Sequence, residues 1–482
     1  MNRWNTFLLA GALLGLAACQ SRSPEAESAA AAPECPPRPA PYTLRHPGWV
    51  AGASLYEVNI RQYTPEGTFR AFERHLPRLD SMGVGILWLM PVHPIGREKR
   101  KGRLGSYYSV QDYRAVNPEM GTLDDLRHLV QEAHKRDMRV ILDWVANHTS
   151  WDNPLVQQHP DWFTRDARGR LVPPVADWQD VVDLNFERPE LRRYMTESMA
   201  YWVREADVDG FRCDVAGLVP TAFWNDTRRE LEKIKPVFML AEWDELHDPP
   251  FLKPGEFDPR TGLLEQAFDA TYALRLHYLL DSVARGQQPP AALDAYQAAE
   301  RRRYPAGTLL MNFTSSHDVN TWAGTEYERL GANALPMAVL AATLPGIPMV
   351  YSGQEAGLKK RLAFFDKDPI SWNGYPLQGF YTSLLQLKKR SPALRNGDAC
   401  ARFERLPSPA STYAFGRSQG PARVLVAVNL GAELQEVALP AGWAGQYHDV
   451  FADQAYSLAP GAVLPVEPHG YRVLELRPVG AN

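Results

Sequence analysis

The sequence has little cysteine and lacks long runs of positive charge. Only 4 of its 482 residues are cysteine, and the formal net charge is -4. No basic run exceeds a few residues, so nothing indicates a nucleic-acid partner. No internal repeat is evident. The hydrophobic share of 45% is ordinary for a folded chain, and the length allows one large barrel with an appended module. The 13 Trp and 20 Tyr are many, but aromatic faces both pack cores and stack on sugar rings.

The first 18 residues are predicted to be a signal peptide. Arg3 precedes a short apolar run and then small residues, a pattern typical of secretion and too short for a membrane-spanning helix. The ending LAAC at 16–19 is typical of a bacterial lipobox, in which Cys19 is lipidated and becomes the first residue. The alternative is an ordinary signal that happens to contain a cysteine. Residues 19–41, rich in Ala, Pro, Ser and Glu, are then a lipidated tether. We therefore expect a bacterial cell-envelope protein that is held at a membrane by a lipid.

The three other cysteines predict no disulfide framework. Cys35 lies in the tether, Cys213 in an apolar run and Cys400 far from both. Secreted proteins reach an oxidising compartment, but this spacing is not that of a disulfide-stapled domain.

Eight short apolar runs alternate with stretches that are mainly helical. The stretch 122–137 has helical apolar spacing, a Thr N-cap and an acidic first turn. Strand–helix alternation on this scale predicts an α/β fold, a (β/α)8 TIM barrel. The eight runs are 54–60, 85–92, 138–145, 208–215, 236–243, 266–272, 308–313 and 346–352.

The spacing of these runs also predicts the domain boundaries. The barrel is assigned to 42–145 and 188–394. The aperiodic stretch 146–187, rich in Trp, Asp and Pro, is assigned to an inserted domain after strand 3. Short β-branched and aromatic runs separated by Gly, Pro and Asn predict a C-terminal antiparallel β-domain over 395–482.

One predicted strand carries charges on a single face. Because side chains alternate along a strand, Arg212 and Asp214 point one way while Phe211 and Cys213 point the other. Buried charges are costly unless they are paired. The ionic face of this strand therefore indicates a functional site in the barrel interior.

Together with Arg212 and Asp214, further polar residues lie at the carboxyl ends of several predicted strands, where barrel active sites lie. Any one of them alone is better explained as a loop cap, but their convergence at one mouth indicates a site. They are Asp143, Asn147, His148, Arg212, Asp214, Glu242, His317 and Asp318.

Asp214 and Glu242 follow neighbouring strands, which lie about 4.8 Å apart. Carboxylates about 5–5.5 Å apart suit a retaining glycosidase, in which one attacks and the other protonates. We expect Arg212 to lower the pKa of Asp214, and the apolar run before Glu242 to raise the pKa of that acid.

Six short segments together resemble the α-amylase family of glycoside hydrolases. Four of them, DWVANH, DGFRCD, FMLAEW and FTSSHD, look like the family's four short regions, in the same order along the chain. DVVDLN resembles the motif of the inserted domain and GIPMVYSGQEAG that of the eighth strand. The resemblance covers about 54–478. The segments are DWVANH (143–148), DVVDLN (180–185), DGFRCD (209–214), FMLAEW (238–243), FTSSHD (313–318) and GIPMVYSGQEAG (346–357).

The resemblance implies three catalytic carboxylates. Asp214 would be the nucleophile, Glu242 the general acid and then base, and Asp318 would stabilise the transition state. A further similar segment, 105–122, carries the adjacent pair Tyr107 and Tyr108, of which Tyr108 would stack under the sugar; either of the two could instead be core. The substrate-binding residues implied are Tyr108, His148, Arg212 and His317.

The chain departs from the family pattern at one place. Many members have Lys-His three and four positions after the nucleophile, where this chain has Gly217 and Leu218. That replacement puts long-chain α-amylase specificity in doubt. Asn147 and Asp183 match positions that bind calcium in many relatives, so Ca²⁺ is a possible ligand, with no organic cofactor expected.

The function implied is retaining hydrolysis of α-glucosidic, mainly α-1,4, bonds in starch-derived glucans and maltodextrins. One alternative is an α-glucanotransferase, and another is an α-1,6-acting or cyclomaltodextrinase-like enzyme, which Val215 after the nucleophile favours. From a different class, a non-catalytic glucan-binding lipoprotein would lack some of the three carboxylates, and all three are present. The expected partners are the glucan and, through the lipid, a membrane.

Overall fold

The computed structural model describes residues 39–245, 261–452 and 454–476. The predicted signal peptide, Cys19 and nearly all of the tether lie outside these residues. None of the helices in the described part of the chain is both long and apolar enough to cross a membrane.

Eight parallel strands close into a barrel in the order β1-β2-β3-β6-β7-β8-β9-β10. Each of the eight predicted apolar runs supplies one of these strands, which confirms the predicted TIM barrel. The strands of the chain are β1 Leu55–Val58, β2 Ile86–Leu89, β3 Arg139–Trp144, β4 His148–Ser150, β5 Val181–Asp183, β6 Gly210–Cys213, β7 Phe238–Ala241, β8 Ala270–Tyr272, β9 Leu309–Asn312, β10 Ile347–Tyr351, β11 Arg402–Leu406, β12 Thr412–Gln419, β13 Ala422–Asn429, β14 Gln435–Ala438, β15 Gly445–Asp449, β16 Ala455–Leu458, β17 Val463–Val466 and β18 Tyr471–Leu476.

Helices connect the barrel strands and cover them on the outside. The predicted helix after β2 begins with a capping box, in which Thr122 and Asp125 bond each other's backbone N–H. The helices are α1 Ile60–Tyr63, α2 Phe69–Glu73, α3 Leu76–Met82, α4 Leu123–His134, α5 Leu155–Gln158, α6 Pro189–Ala206, α7 Thr221–Glu232, α8 Leu263–Gln266, α9 Leu274–Ala284, α10 Ala292–Arg303, α11 Glu326–Leu330, α12 Ala334–Thr343 and α13 Gln378–Arg390.

Strand alternation in the barrel separates two buried apolar clusters, and a third lies in the C-terminal domain. One fills the barrel interior and includes Leu55, Trp88 and Leu240. The other lies between strands and helices and includes Phe211 and Cys213. The apolar face of β6 therefore packs outward, and its ionic face points into the barrel.

Two further units flank the barrel strands. Within 146–187, β4 and β5 pair as a short antiparallel sheet. After the barrel, a six-stranded sheet runs β11-β12-β13-β18-β15-β16, and β14 pairs with β17. This confirms the predicted C-terminal antiparallel domain. The runs on which the prediction rests, 411–418, 422–430, 435–440, 445–453 and 470–478, do not include β11, β16 or β17.

The cysteines require one correction. Cys213 is free and buried, as a small core residue should be. Cys400, however, is disulfide-bonded. The prediction of no disulfide framework was therefore wrong in this respect, because wide sequence separation does not prevent two cysteines from meeting in a folded chain.

Candidate active site

The carboxyl ends of the barrel strands bring most of the predicted site residues together. Asp214 and Glu242 each follow their strand by one residue, and the backbone N–H of Glu242 donates to the carbonyl of Cys213 at 3.0 Å. Because β6 and β7 are parallel and in register, the two carboxylates lie side by side. Asp318 follows β9 in the adjoining loop.

Arg212 is the centre of this cluster. Its fully buried guanidinium lies 2.9 Å from Asp143 Oδ1, 3.0 Å from Asp214 Oδ1 and 2.9 Å from Glu242 Oε1. Its Nε–H also donates to the hydroxyl of Tyr272 at 3.1 Å. One cation therefore forms ion pairs with three carboxylates. The buried cluster has an excess of negative charge when all three carboxylates are ionised.

This sharing changes the expected electrostatics of Asp214. Burial raises the pKa of Asp214 well above its ordinary value, and the charge of Glu242 raises it further, while Arg212 lowers it only in part. Arg212 therefore lowers this pKa as expected, but it does not offset burial and the charge of Glu242, so the net pKa is raised rather than lowered. Burial likewise raises the pKa of Asp143 to about 6, against the charges of Arg212 and His317.

Glu242 is held from its second side by backbone. Its Oε2 accepts the N–H of Val215 at 2.8 Å. Val215 has φ 37° and ψ 47°, a left-handed conformation that a β-branched residue rarely adopts. The strained residue directly after Asp214 thus aims its amide at the neighbouring carboxylate.

A hydrogen-bonded chain crosses the barrel mouth through His317. Burial alone would lower the pKa of His317, but the charges of Asp318 and Glu57 raise it to about 9, so the ring is cationic at neutral pH. Its Nδ1 donates to Glu57 Oε1 at 2.5 Å, and its Nε2 donates to the hydroxyl of Tyr108 at 2.8 Å. Tyr108 in turn donates to Asp143 Oδ2 at 3.1 Å.

The adjacent tyrosines Tyr107 and Tyr108 differ in their surroundings. Tyr108 joins the His317 chain and its ring stacks on His317 with centroids 5.6 Å apart. Tyr107 is buried beneath the Arg61 guanidinium, 4.0 Å from its ring centroid, and it accepts a hydrogen bond from Asn59. The structure therefore places Tyr108 with the carboxylates and Tyr107 in the core.

His148 and Asp318 occupy opposite extremes of exposure. Burial lowers the pKa of His148 to about 4, with a hydrogen bond to the backbone of Tyr108 opposing it, so this ring is neutral. The Asp318 side chain is 45% exposed and lies 3.3 Å from His317 Nε2. Of the predicted catalytic carboxylates, Asp318 is the most accessible.

Comparison with known proteins identifies the family. Residues 48–180 and 175–248 match the model of the α-amylase catalytic domain. A noncanonic maltogenic α-amylase from Thermotoga neapolitana is 30% identical, with a TM-score of 0.77 over 88% of this chain and 98% of that one. The chain belongs to the α-amylase family.

Two sequence relatives extend this comparison. The α-amylase MalA of Haloarcula japonica is 28% identical, over 83% of this chain and 58% of that protein. A cyclomaltodextrinase from Geobacillus thermopakistaniensis is 24% identical, over 79% of this chain and 65% of that protein. The chain thus spans somewhat less than two thirds of the length of these relatives.

Packing explains where this α-amylase family member departs from the common pattern. A Cβ on Gly217 would lie 2.1 Å from Cε2 of the Trp243 indole, and 2.3 and 2.5 Å from two further ring atoms. The position where many members carry lysine therefore has no room for any side chain. The buried indole that follows Glu242 occupies this space instead.

The two predicted calcium ligands are close to each other. The N–H of Leu184, the residue after Asp183, donates to the carbonyl of Asn147 at 3.2 Å. Burial raises the pKa of Asp183 to about 6. Within the described ranges, no three His, Cys, Asp or Glu side chains are grouped to hold a metal. Two side-chain oxygens fall short of the six to eight that calcium takes, so these two residues by themselves do not fit the ion, and the site stays a prediction.

Sequence reasoning missed three residues that support the carboxylates. Glu57 on β1 contacts His317, Trp88 on β2 donates to Asp143 Oδ2 at 3.1 Å, and Tyr272 on β8 accepts from Arg212. Glu57 could have been found, because it is a carboxylate inside the predicted apolar strand run 54–60.

Proposed function

We propose that this protein hydrolyses α-glucosidic, mainly α-1,4, bonds in maltodextrins and other starch-derived glucans with retention of configuration. The observation that carries the proposal is the pair Asp214 and Glu242 on two nitrogens of one guanidinium. Carboxylates held this close suit a double displacement rather than the wider pair that accommodates a water.

The first step is attack on the anomeric carbon. A carboxylate oxygen of Asp214 forms the new bond, the glycosidic C–O bond breaks, and the leaving oxygen takes a proton from Glu242. Burial and the charge of Glu242 both raise the pKa of Asp214, so a proton lost from one carboxylate affects the other. A single proton on the pair is the state that this step needs.

The second step returns the enzyme to its starting state. Water attacks the same carbon, gives its proton to Glu242 and releases Asp214 as the carboxylate. Asp318, with its exposed oxygen, would bind sugar hydroxyls, and cationic His317 would add a donor beside it. Tyr108 would face the sugar ring from below.

A second specificity has its own support. The cyclomaltodextrinase relative and the Gly217–Trp243 packing favour short or cyclic maltooligosaccharides over long starch chains. Transfer to a sugar hydroxyl would use the same intermediate. Product profiles from maltoheptaose, cyclodextrin and pullulan distinguish these activities, since transfer gives products longer than maltoheptaose and α-1,6 cleavage gives maltotriose from pullulan.

The decisive experiment is Asp214→Asn with soluble starch. We expect the loss of nearly all release of reducing sugar. Asp124→Asn is the matched control, because this carboxylate on α4 is exposed and should leave the rate unchanged. A near wild-type rate for Asp214→Asn would overturn the mechanism, and a β-anomer as the first product would overturn retention. With both variants folded and no sugar released by the wild type, a non-catalytic glucan-binding role would be favoured.

We further propose that the enzyme is anchored in the bacterial cell envelope by a lipid on Cys19. The support is the LAAC sequence at the end of an apolar N-terminal run.

A further inference from the structure

The largest exposed apolar side chain in the described part of the chain lies beside the proposed active site. Trp322 is 58% exposed, although tryptophan is usually mostly buried. It follows Asp318 by four residues, and its indole N–H donates to Asp318 Oδ1 at 3.2 Å. The other large apolar side chains that are exposed in the described residues are Ile234, Tyr278, Leu434 and Val463.

A continuous row of aromatic rings connects Trp322 with the buried site. Tyr108 and Phe364 are nearly parallel, at 17° with centroids 6.2 Å apart. Phe364 and Trp322 follow at 5.4 Å, and Phe365 lies 6.1 Å from Trp322. Along this row the rings change from buried to half-buried to exposed.

The exposed end of the row is held by its own hydrogen bonds. Asn320 Oδ1 accepts from the N–H of Leu362 at 2.8 Å, and its amide donates to the carbonyl of Lys360 at 3.1 Å. Thr321 donates to the carbonyl of Leu362 at 3.0 Å. The turn that carries Trp322 is thus fastened to the loop that carries Phe364, so the rings keep their relative positions without a ligand.

We propose that Trp322, Phe364 and Phe365 form an additional sugar-binding subsite for the α-glucan, next to the one marked by Tyr108. The C–H groups on one face of a glucose ring pack against an aromatic face, and an indole is a large rigid platform. Because the row of rings is continuous with Tyr108 and Asp318, the occupant is a further glucose unit of the glucan that is bound at the active site. The inference rests on the proposed function.

The test measures binding of maltoheptaose by calorimetry in the Asp214→Asn background, where the glucan is not consumed. Trp322→Ala removes both the ring and the N–H, whereas Trp322→Phe keeps a ring and removes the N–H. Leu434→Ala, an exposed apolar side chain between β13 and β14, is the control. Thermal melts show that each variant is folded.

Each outcome decides a different question. We expect Trp322→Ala to weaken binding about fivefold, and Trp322→Phe and Leu434→Ala to stay within about twofold of the parent. Equal affinity for Trp322→Ala and the parent would overturn the subsite and leave the proposed function standing. Equal weakening by Trp322→Phe and Trp322→Ala would also overturn it, since the N–H bond would then carry the effect. No binding by the parent itself would overturn the proposed substrate, and the subsite with it.

Discussion

Gly217→Ala adds a single methyl group against the Trp243 indole. The added Cβ would meet ring atoms at 2.1, 2.3 and 2.5 Å, whereas carbon atoms in ordinary contact lie about 3.5–4.0 Å apart. The ring therefore has to move by about 1.5 Å. Trp243 is buried and its carbonyl accepts a hydrogen bond from Thr271, so the backbone cannot simply follow the ring.

The expected cost has two components. Overpacking of a buried site destabilises by about 1–3 kcal/mol, which thermal or urea unfolding measures. Because Glu242 directly precedes Trp243, the shift also displaces the proposed acid/base. A misplacement of about 1 Å can lower a rate by about 10²-fold. We therefore expect kcat on maltoheptaose to fall under conditions where the Gly217→Ala variant is still folded.

Two comparisons make this reasoning refutable. Gly379→Ala on α13 is the matched control, because nothing lies within 4 Å of its Cβ position; it should stabilise by about 0.5–1 kcal/mol. In a Trp243→Leu background, which removes the indole, Gly217→Ala should lose most of its cost. An equal cost in both backgrounds, or no cost in the wild type, would refute the packing argument.

Three further predictions follow from the electrostatics and the N-terminus. Glu242→Gln removes a charge that raises the pKa of Asp214. The substrate is α-maltosyl fluoride, whose leaving group needs no acid catalyst. The acidic limb of the pH–rate profile should move to lower pH, and an unmoved limb would contradict the effect of Glu242 on Asp214. Because the folded pKa of His317 is about 9 and its unfolded value about 6.5, its contribution to stability is complete below pH 6.5 and is lost as pH rises through 9. Glu57→Gln should flatten this part of the melting-temperature profile, and an unchanged slope would contradict the assignment. Cys19→Ala should move the protein from the membrane pellet to the soluble fraction; retention in the pellet would exclude the lipid.

The barrel could be predicted from sequence because its signal is repeated eight times. Each apolar run is short and followed by a mainly helical stretch, and no single run had to be identified with certainty. The strands that were missed lack this signal: β11 is half-exposed, and β17 contains Pro465 at its centre. Short edge or satellite strands depend on their partners more than on their own composition.

The site was predicted less completely for a different reason. Asp214 and Glu242 could be found because each follows an apolar run, and alternation shows that Arg212 faces the same way as Asp214. The sequence places a carboxylate at Glu57 but does not show its partner, since Glu57 meets His317 only when β1 pairs with β10 to close the barrel. Tyr272 reaches Arg212 from β8, two strands away from β6. The net pKa of Asp214 differs from the expected direction because sequence shows that an arginine is near, but shows neither the burial of this carboxylate nor the charge of Glu242 beside it.

Because three carboxylates pair with Arg212, the role of each carboxylate is difficult to assign from a single substitution. One guanidinium contacts Asp143, Asp214 and Glu242 within 3.0 Å. Removing Glu242 or Asp143 therefore also removes a charge that raises the pKa of Asp214. A single substitution in this cluster therefore changes both the missing group and its neighbours' protonation. Only double-mutant cycles measured across pH can separate the loss of a nucleophile from a shift in the remaining acid.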